Sequence, residues 1–314
     1  MRQITGGVLL VILMSGCFGE ETAERESYPT APVTIIVPYS EGGSSDTLAR
    51  MMAEALSEHW GMEVTVENRD GESAVLGMQD IAEAEPDGYT FGMFGSPDEH
   101  VLTEREDLSF MQEDFDFLMG FDREPHALMS APSFSGDSLE HLKEKAEGQP
   151  GRVTVGHSGP LGELLILLLE EQLDVDVTPV IYDGGGDLLL ALQQDEIDTA
   201  STSLATEDRV NEAGGSLLGY GGEDHGDRLS FSEQGYEIHL TVMRTLVAPV
   251  GIPDDHRKEM ITALEAIFQT DEWYESMDEA GINFSASDEE DVQLFLEEMH
   301  EIVDERIQEI QELP

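Results

Sequence analysis

The sequence predicts an α/β fold built around a parallel sheet, and three observations predict it. Runs of β-branched residues alternate with stretches of helical period along most of the chain. Three of the strand-to-helix connections contain a glycine-rich turn. The 314 residues are 39% hydrophobic, which is enough to bury a core in one large or two smaller domains.

The first elements follow this alternation in order. The run PVTIIVPY predicts a strand, and Asp46 to His59 places its apolar residues on one face of a helix. The run MEVTVEN predicts the next strand, and Ser73 to Ala84 has the period of a helix. A turn at Pro86 to Gly88 leads into the strand YTFGMFG.

The later part of the chain repeats the pattern and then becomes helical. The runs RVTVGHS, VTPVIYD and IDTAST each predict a strand followed by a helical stretch. From Pro253 onward the pattern is helical, and its last segment carries an apolar stripe among glutamates. This stripe predicts core packing and consists of Val292, Phe295, Met299, Ile302, Val303 and Ile310.

Helix-breaking residues around 131–152 separate two sets of strand–helix units. We therefore predict chain crossovers near Met129 to Pro132 and near Arg244 to Pro249. The predicted first domain comprises residues 28–131 and 245–314, and the predicted second domain comprises residues 132–244.

The chain is strongly acidic, with 68 Asp and Glu residues against 15 Lys and Arg and a formal net charge of -53. The acids interrupt regular apolar patterns, so they indicate a solvated surface on a folded core and not a disordered tail. This balance is typical of proteins adapted to brine, where salt screens the mutual repulsion of carboxylates. It disfavours nucleic acid as a partner, because nucleic acid binding needs a basic surface.

The amino terminus has the pattern of an export signal. Arg2 precedes a short apolar stretch centred on Val8 to Met14, and small residues lead to Cys17. The pattern looks like a lipobox, so we predict a lipoprotein signal peptide over residues 1–17, lipidation of Cys17 and a flexible tether over residues 18–27. The alternative is an ordinary signal peptide in which Cys17 has no role. Because Cys17 is the only cysteine of the sequence, no disulfide is expected within it.

Three segments share the order strand, glycine-rich turn and helix: VTIIVPYSEGGSSDTLARMM, RVTVGHSGPLGELLILLL and VTPVIYDGGGDLLLALQQ. In an open parallel sheet, such turns lie at the carboxyl ends of strands, where ligands bind. The first N–H groups of the following helix have no partner within that helix, so the turns are candidate anion sites. The alternative is that the glycines only make tight turns.

The type of anion can be narrowed from the residues. None of the turns has a Walker pattern or a GxGxxG pattern, which disfavours a nucleotide. A small carboxylate needs only a few directed donors, which Ser44, Ser45, Ser158 and neighbouring amides supply. Asp46 is interpreted either as the N-cap of its helix or as an acceptor for a ligand amine or hydroxyl.

Catalysis and metal binding are weaker interpretations. The stretch GHSGP approaches a nucleophile elbow around Ser158, with His225 or His239 as a base, but Pro160 stands where the pattern requires glycine. We therefore expect no enzyme activity and no cofactor. No metal site is expected either, because the paired acids lack a loop of spaced oxygen ligands.

Several ordered motifs resemble the tripartite tricarboxylate transporter substrate-binding proteins, the TctC or Bug family. The residues that carry the resemblance are the stretch from Tyr28 to Gly71, the run EAEPDGYTFG, and the later segments AEGQPGRVTVGHSGPLGE, VIYDGGGDLLLALQQDEID and FSEQGY. The likeness covers nearly all of Tyr28 to Ile310.

The resemblance implies a type II periplasmic-binding-protein fold, in which two α/β domains joined by a hinge close over a small carboxylate. It also implies that facing turns hold the ligand. Matched by position, the implied ligand-binding residues are Tyr39, Gly43, Ser44, Ser45, Asp46, Ser96, Ser158, Gly159, Tyr182 and Gly184.

Two departures from the family pattern affect the expected ligand. The stretch RDGESAVLG lacks the family's glycine doublet, and Asp183 stands where a lysine is frequent. The implied partners are permease subunits in the membrane, and the implied location is the periplasm or cell surface, with the chain a monomer. A binding protein that serves a membrane sensor is the alternative, and the solute is not identified by the sequence.

Overall fold

The computed structural model describes residues 28–72, 74–105, 108–222 and 228–311. Four features named from the sequence lie outside these ranges: the predicted signal peptide over residues 1–17, Cys17, the tether over residues 18–27 and His225. The predicted α/β class is confirmed: strands and helices alternate through two lobes with a cleft between them.

The first lobe begins with strand β1 (Val33–Val37), helix α1 (Ser44–Trp60), strand β2 (Val64–Asn68), helix α2 (Val75–Ala82) and strand β3 (Thr90–Ser96). These elements agree with the sequence prediction to within about two residues at most ends. Helix α3 (Asp98–Arg105) and strands β4 (Phe115–Gly120) and β5 (Glu124–Ser130) follow.

The second lobe contains helix α4 (Leu139–Gly148), strand β6 (Thr154–His157), helix α5 (Pro160–Leu173), strand β7 (Thr178–Ile181) and helix α6 (Gly185–Gln193). Strand β8 (Thr199–Ser203), helix α7 (Glu207–Ala213) and strand β9 (Ser216–Gly221) complete it. The chain then returns through strand β10 (Thr241–Pro249) to helices α8 (Asp254–Phe268), α9 (Asp271–Glu279) and α10 (Glu289–Gln311).

The sheet is mixed and not purely parallel as predicted. Strands β2, β1 and β3 pair in parallel, as do β7, β6 and β8, but β10 and β5 pair antiparallel with their neighbours. The path through the sheet runs β2-β1-β3-β10-β5-β8-β6-β7, with β4 on β10 and β9 on β5. The difference arises because β10 re-enters the first lobe from the second and runs opposite to β3.

The lobes meet where β5 and β10 pair. At the start of β10, Thr241 and Val242 pair with Pro125 and Glu124, whereas the rest of β10 pairs with β3 and β4. Strand β5, which the predicted division assigns to the first domain, pairs with β8 and β9 of the second lobe. The predicted domain boundaries themselves stay a prediction.

Apolar side chains are buried on both faces of each half of the sheet. The predicted stripe of the last helix packs into the core: Val292, Phe295, Met299 and Val303 are buried, and Ile302 packs against them. The side chain of Ile310 lies outside the described part of the chain. Among the described residues, no helix combines the length and apolar character needed to span a membrane.

A cleft between facing turns

A cleft of about 190 Å³ opens between the two lobes. The turn between β1 and α1 forms one wall, and residues of the turns before α5 and α6 form the opposite wall. Residues from β5 and β10, where the lobes join, also line it. The cleft therefore lies at the carboxyl ends of parallel strands, where the sequence predicts a binding site.

The β1–α1 turn is braced from within by Asp46. Its Oδ2 accepts hydrogen bonds from the Gly42 N–H at 2.9 Å and from Arg50 Nε at 3.1 Å, and its Oδ1 accepts one from Asn68 at 3.0 Å. Burial acts to raise the pKa of Asp46, but these hydrogen bonds together hold the pKa below its ordinary value. Gly43 occupies the N-cap position, so Asp46 is not the N-cap of α1 and instead fixes the turn.

This bracing leaves the start of α1 directed at the cleft. The first helical hydrogen bond runs from the Thr47 N–H to the Gly43 carbonyl, so the N–H groups of the preceding residues have no partner within the helix. Ser44 and Ser45, the first two residues of α1, line the cleft. A carboxylate is favoured at such a position by the N–H donors and by the helix dipole.

The second turn, before α5, differs from the first because its helix start already holds a carboxylate. The Leu161 N–H donates to Asp98 Oδ1 at 2.9 Å, and Asp98 belongs to α3 of the other lobe. Gly159 has φ +89° and packs closely on Asp98, where a Cβ would lie 3.1 Å from Oδ2. Ser158 lines the cleft, so this turn offers a hydroxyl to a ligand while Asp98 takes one of its amides.

Tyr39 connects Asp98 to the first wall. The Tyr39 hydroxyl donates to Asp98 Oδ2 at 2.6 Å and accepts from the Gly95 N–H at 3.2 Å. Burial raises the pKa of Asp98 to about 7 even though the hydrogen bonds from Tyr39 and Leu161 act to lower it. Burial and the neighbouring Asp98 hold the pKa of Tyr39 well above its ordinary value, so its phenol stays protonated.

The third turn, before α6, contacts the first turn directly. The Ser40 N–H donates to the Asp183 carbonyl at 3.2 Å, and the Gly184 backbone lies against Ser40. Gly185 lines the cleft, whereas Tyr182 and Gly184 do not. The two lobes are therefore in contact at this edge of the cleft.

Six of the ten predicted ligand-binding residues come together in the cleft, namely Tyr39, Gly43, Ser44, Ser45, Asp46 and Ser158. Gly159, Tyr182 and Gly184 lie in the turns but not on the cleft lining. Ser96 is fully buried, and its hydroxyl lies 3.1 Å from the Thr245 hydroxyl. Its position is explained by pairing of β3 with β10, which the sequence analysis did not predict.

Several polar residues of the cleft were missed by sequence reasoning. Glu124 and His126 begin β5, and Arg244 lies in β10, all three buried and lining the cleft. His126 Nε2 lies 2.9 Å from the Ser201 hydroxyl, and burial, with a smaller effect of His157, lowers the pKa of His126 to about 4. The available signals were Arg244 inside the mostly apolar run TVMRTLVAP and the charged residues that open the run FDREPHALM.

Among the described residues, Ser158 is not hydrogen-bonded to a histidine base. His239 is exposed, and the structure records no hydrogen bond between it and Ser158. Within the described ranges, no three His, Cys, Asp or Glu side chains are grouped so as to hold a metal ion. The cleft offers hydrogen-bond donors and acceptors for a small polar molecule.

Two α/β lobes that share a central strand and enclose a cleft of facing turns define a type II periplasmic solute-binding protein. The family model described as tripartite tricarboxylate transporter family receptor, TctC, matches residues 48–311. The chain belongs to this family of substrate-binding proteins. The resemblance stated from the motifs is thereby confirmed.

Relatives and solved structures agree with this assignment. A UPF0065 protein of Bordetella pertussis is 24% identical over 287 residues, covering 88% of each chain. The structure of Rhodopseudomonas palustris Rpa4515 with adipate has a TM-score of 0.81 and 25% identity, covering 91% of this chain and 99% of that one. MatC of the same organism with bound malate has a TM-score of 0.77 and 21% identity, covering 90% and 98% of the two chains. The periplasmic binding protein BugD has a TM-score of 0.79 and 20% identity, covering 90% and 99%.

Proposed function

We propose that this protein captures a small organic acid outside the cytoplasm and delivers it to the membrane subunits of a tripartite tricarboxylate transporter. It performs no chemistry on the solute. The observation that carries the proposal is the start of α1, whose unpaired N–H groups and serine hydroxyls line the cleft opposite Ser158. Adipate and malate in the two similar structures support a carboxylate ligand.

Binding and closing are coupled in this proposal. A carboxylate held by Ser44, Ser45 and the α1 amides completes its contacts only when Ser158 of the other lobe approaches. The contact between the turns at Ser40 and Asp183 is then part of the closed form. The closed form docks on the permease, and the chain acts as a monomer.

The location belongs to the same proposal. A chain exported through residues 1–17 and lipidated at Cys17 would be held at the membrane by the tether over residues 18–27. The net charge of -53 suits a protein that works in concentrated salt, since screening removes most of the repulsion between distant carboxylates.

A thermal-shift screen of small carboxylates in concentrated salt tests the function. A ligand at 100 times its Kd adds about 2.7 kcal/mol to the free energy of unfolding, which raises the Tm measurably. Ser158→Ala should reduce the shift, while the exposed Ser133→Ala should retain it. If no mono-, di- or tricarboxylate shifts the Tm of the unmodified protein, the proposal is wrong.

A further inference from the structure

Glu124 is a buried acid in the cleft that has no partner among the described residues. It begins β5, opposite Val242 of β10, and is only 6% exposed. No described residue forms a hydrogen bond or ion pair with its carboxyl group, although the group lines the cleft. Removing a carboxyl group from water without supplying a hydrogen-bond donor is costly, so Glu124 is a candidate for contact with a donor on the solute.

The buried arginine of the cleft, Arg244, is already paired with an acid. Arg244 follows Val242 by two residues on β10 and lines the cleft, but its guanidinium and its backbone N–H both donate to the buried Asp122. Its Nη2 donates to Asp122, and its buried Nε has no hydrogen-bond partner among the described groups. The Arg244–Asp122 pair therefore adds no net charge, though its Nε remains a donor.

The remaining charged groups do not make the cleft cationic. The titratable and charged residues that line it with Glu124 are Tyr39, Asp46, Asp98, His126, Arg209 and Arg244. Asp46 and Asp98 are satisfied by their own donors, and His126 is uncharged at neutral pH because burial lowers its pKa to about 4. Arg209 is exposed at the rim, where solvent screens its charge.

A second carboxylate on the solute would require Glu124 to stay protonated, whereas an ammonium group would supply the donors and the positive charge that an ionised Glu124 lacks in the cleft. We infer that Glu124 is the counter-ion for an ammonium group of the solute, which makes the solute a small zwitterionic amino acid. This inference rests on the proposed function, because the amino acid's carboxylate would occupy the α1 turn. The cleft volume of about 190 Å³ suits a molecule of this size.

The protonation of Glu124 supplies a signature of this contact. Burial raises the pKa of Glu124 to about 7. An adjacent ammonium lowers the pKa of a carboxyl group, so Glu124 gives up its proton when the solute binds. Binding near pH 7 is then accompanied by proton release to the buffer.

Calorimetry on the full chain in about 1 M KCl tests the inference with matched pairs of solutes: alanine and propionate, aspartate and succinate, glutamate and glutarate. In at least one pair, the amino acid should bind at least about tenfold tighter than its partner, a difference of about 1.4 kcal/mol. Comparing the heats in phosphate and Tris buffers at pH 7 should show proton release for that amino acid.

Glu124→Gln should remove most of the preference and the proton release, whereas the exposed Glu54→Gln should preserve both. Equal or tighter binding of the acids that lack the amino group, or of the hydroxy acids lactate and malate, would overturn the inference while leaving the proposed function standing. If Glu124→Gln does not fold, the proton count of the unmodified protein decides, and tight amino acid binding without proton release overturns the inference. If none of these acids binds, the inference fails, and the wider thermal-shift screen of carboxylates decides the proposed function.

Discussion

The Ser40 N–H donates a hydrogen bond of 3.2 Å to the Asp183 carbonyl, and these two residues belong to opposite lobes. The bond joins the β1–α1 turn to the turn before α6. The next residue, Gly184, has extended backbone with φ -172°, so glycine is not required there by backbone strain. It is required by proximity, since a Cβ at Gly184 would lie 1.9 Å from Ser40 Oγ and 2.9 Å from Ser40 N.

Gly184→Ala should therefore hinder closure. We expect the Kd of the solute to rise at least about tenfold, since even about 1.4 kcal/mol lost from the closed form has this effect. Small-angle scattering with saturating solute should show a larger radius of gyration than for the unmodified protein. Gly148→Ala is the control, because nothing lies within 4 Å of a Cβ there. Unchanged affinity in Gly184→Ala would show that this contact does not accompany binding.

Removing the Tyr39 hydroxyl should destabilise the protein in a pH-dependent way. In Tyr39→Phe, Asp98 loses a donor that acts to lower its pKa, so the pKa of Asp98 should rise further above about 7. A carboxyl group whose folded pKa is raised favours folding at low pH and loses that contribution as pH rises. The free energy of unfolding should fall by about 1–3 kcal/mol in this variant, and the decrease should be larger at pH 8 than at pH 5.

Urea unfolding at the two pH values measures this difference, and the exposed Tyr274→Phe should show neither effect. A penalty for Tyr39→Phe that is the same at both pH values would contradict the role assigned to Asp98.

Glu124→Gln should stabilise the empty protein at high pH. The pKa of Glu124 is raised by burial from 4.5 to about 7, so ionisation of Glu124 opposes folding as the pH passes from about 4.5 to about 7. Glutamine cannot ionise. The free energy of unfolding of the variant should therefore exceed that of the unmodified protein by up to about 3 kcal/mol above pH 8, and the two should be equal below pH 4. Unfolding curves across this range check the prediction, and a parallel pH dependence of the two proteins would refute it.

Asp122→Asn should be strongly destabilising. Arg244 and Asp122 are 6% and 2% exposed, so the substitution leaves an arginine buried without its counter-ion. Breaking such a pair costs about 3–5 kcal/mol. The comparison is Glu67→Gln, which breaks the half-exposed pair with Arg69 and should cost less than about 1 kcal/mol. Chemical unfolding in the same buffer measures both, and similar losses would contradict the account of the buried pair.

Solute affinity should survive, or improve, between low and molar salt. The Debye length is about 10 Å at 0.1 M salt and about 3 Å at 1 M, so distant carboxylates repel an anionic group less as salt rises. The amides of the α1 turn touch the ligand directly and are screened far less. Calorimetry across a salt series measures the Kd, and a steep loss of binding with added salt would contradict the prediction.

Local patterns were sufficient to predict the turns and most elements of the first lobe. The β-branched run of β1 and the apolar face of α1 need no information from elsewhere in the chain, so their limits differ from the prediction by about two residues or less. The stripe from Val292 to Val303 was predicted in the same way, because helical period alone decides which face is buried.

Long-range pairing explains what the sequence did not reveal. Asp98 accepts a hydrogen bond from Leu161 at the start of α5, although 63 residues separate the two in the sequence. The Ser96 hydroxyl lies beside the hydroxyl of Thr245, which is 149 residues away. From the local sequence alone, Glu124 and Arg244 are only charged residues within strands. Their burial in the cleft depends on the pairing of β5 with β10. No local pattern specifies these partners, so the polar groups of the cleft needed the fold to be found.

Strand β10 is nine residues long and pairs with strands of both lobes, with β5 at its start and with β3 along the rest. A strand bends easily out of the plane of its sheet but resists shearing within it, because in-plane shear would break several ladder bonds at once. In the proposed closure, we therefore expect the lobes to rotate about an axis near the Val242–Glu124 pair. A single distance between two labels, one on each lobe, would then be sufficient to measure the change from the open to the closed form.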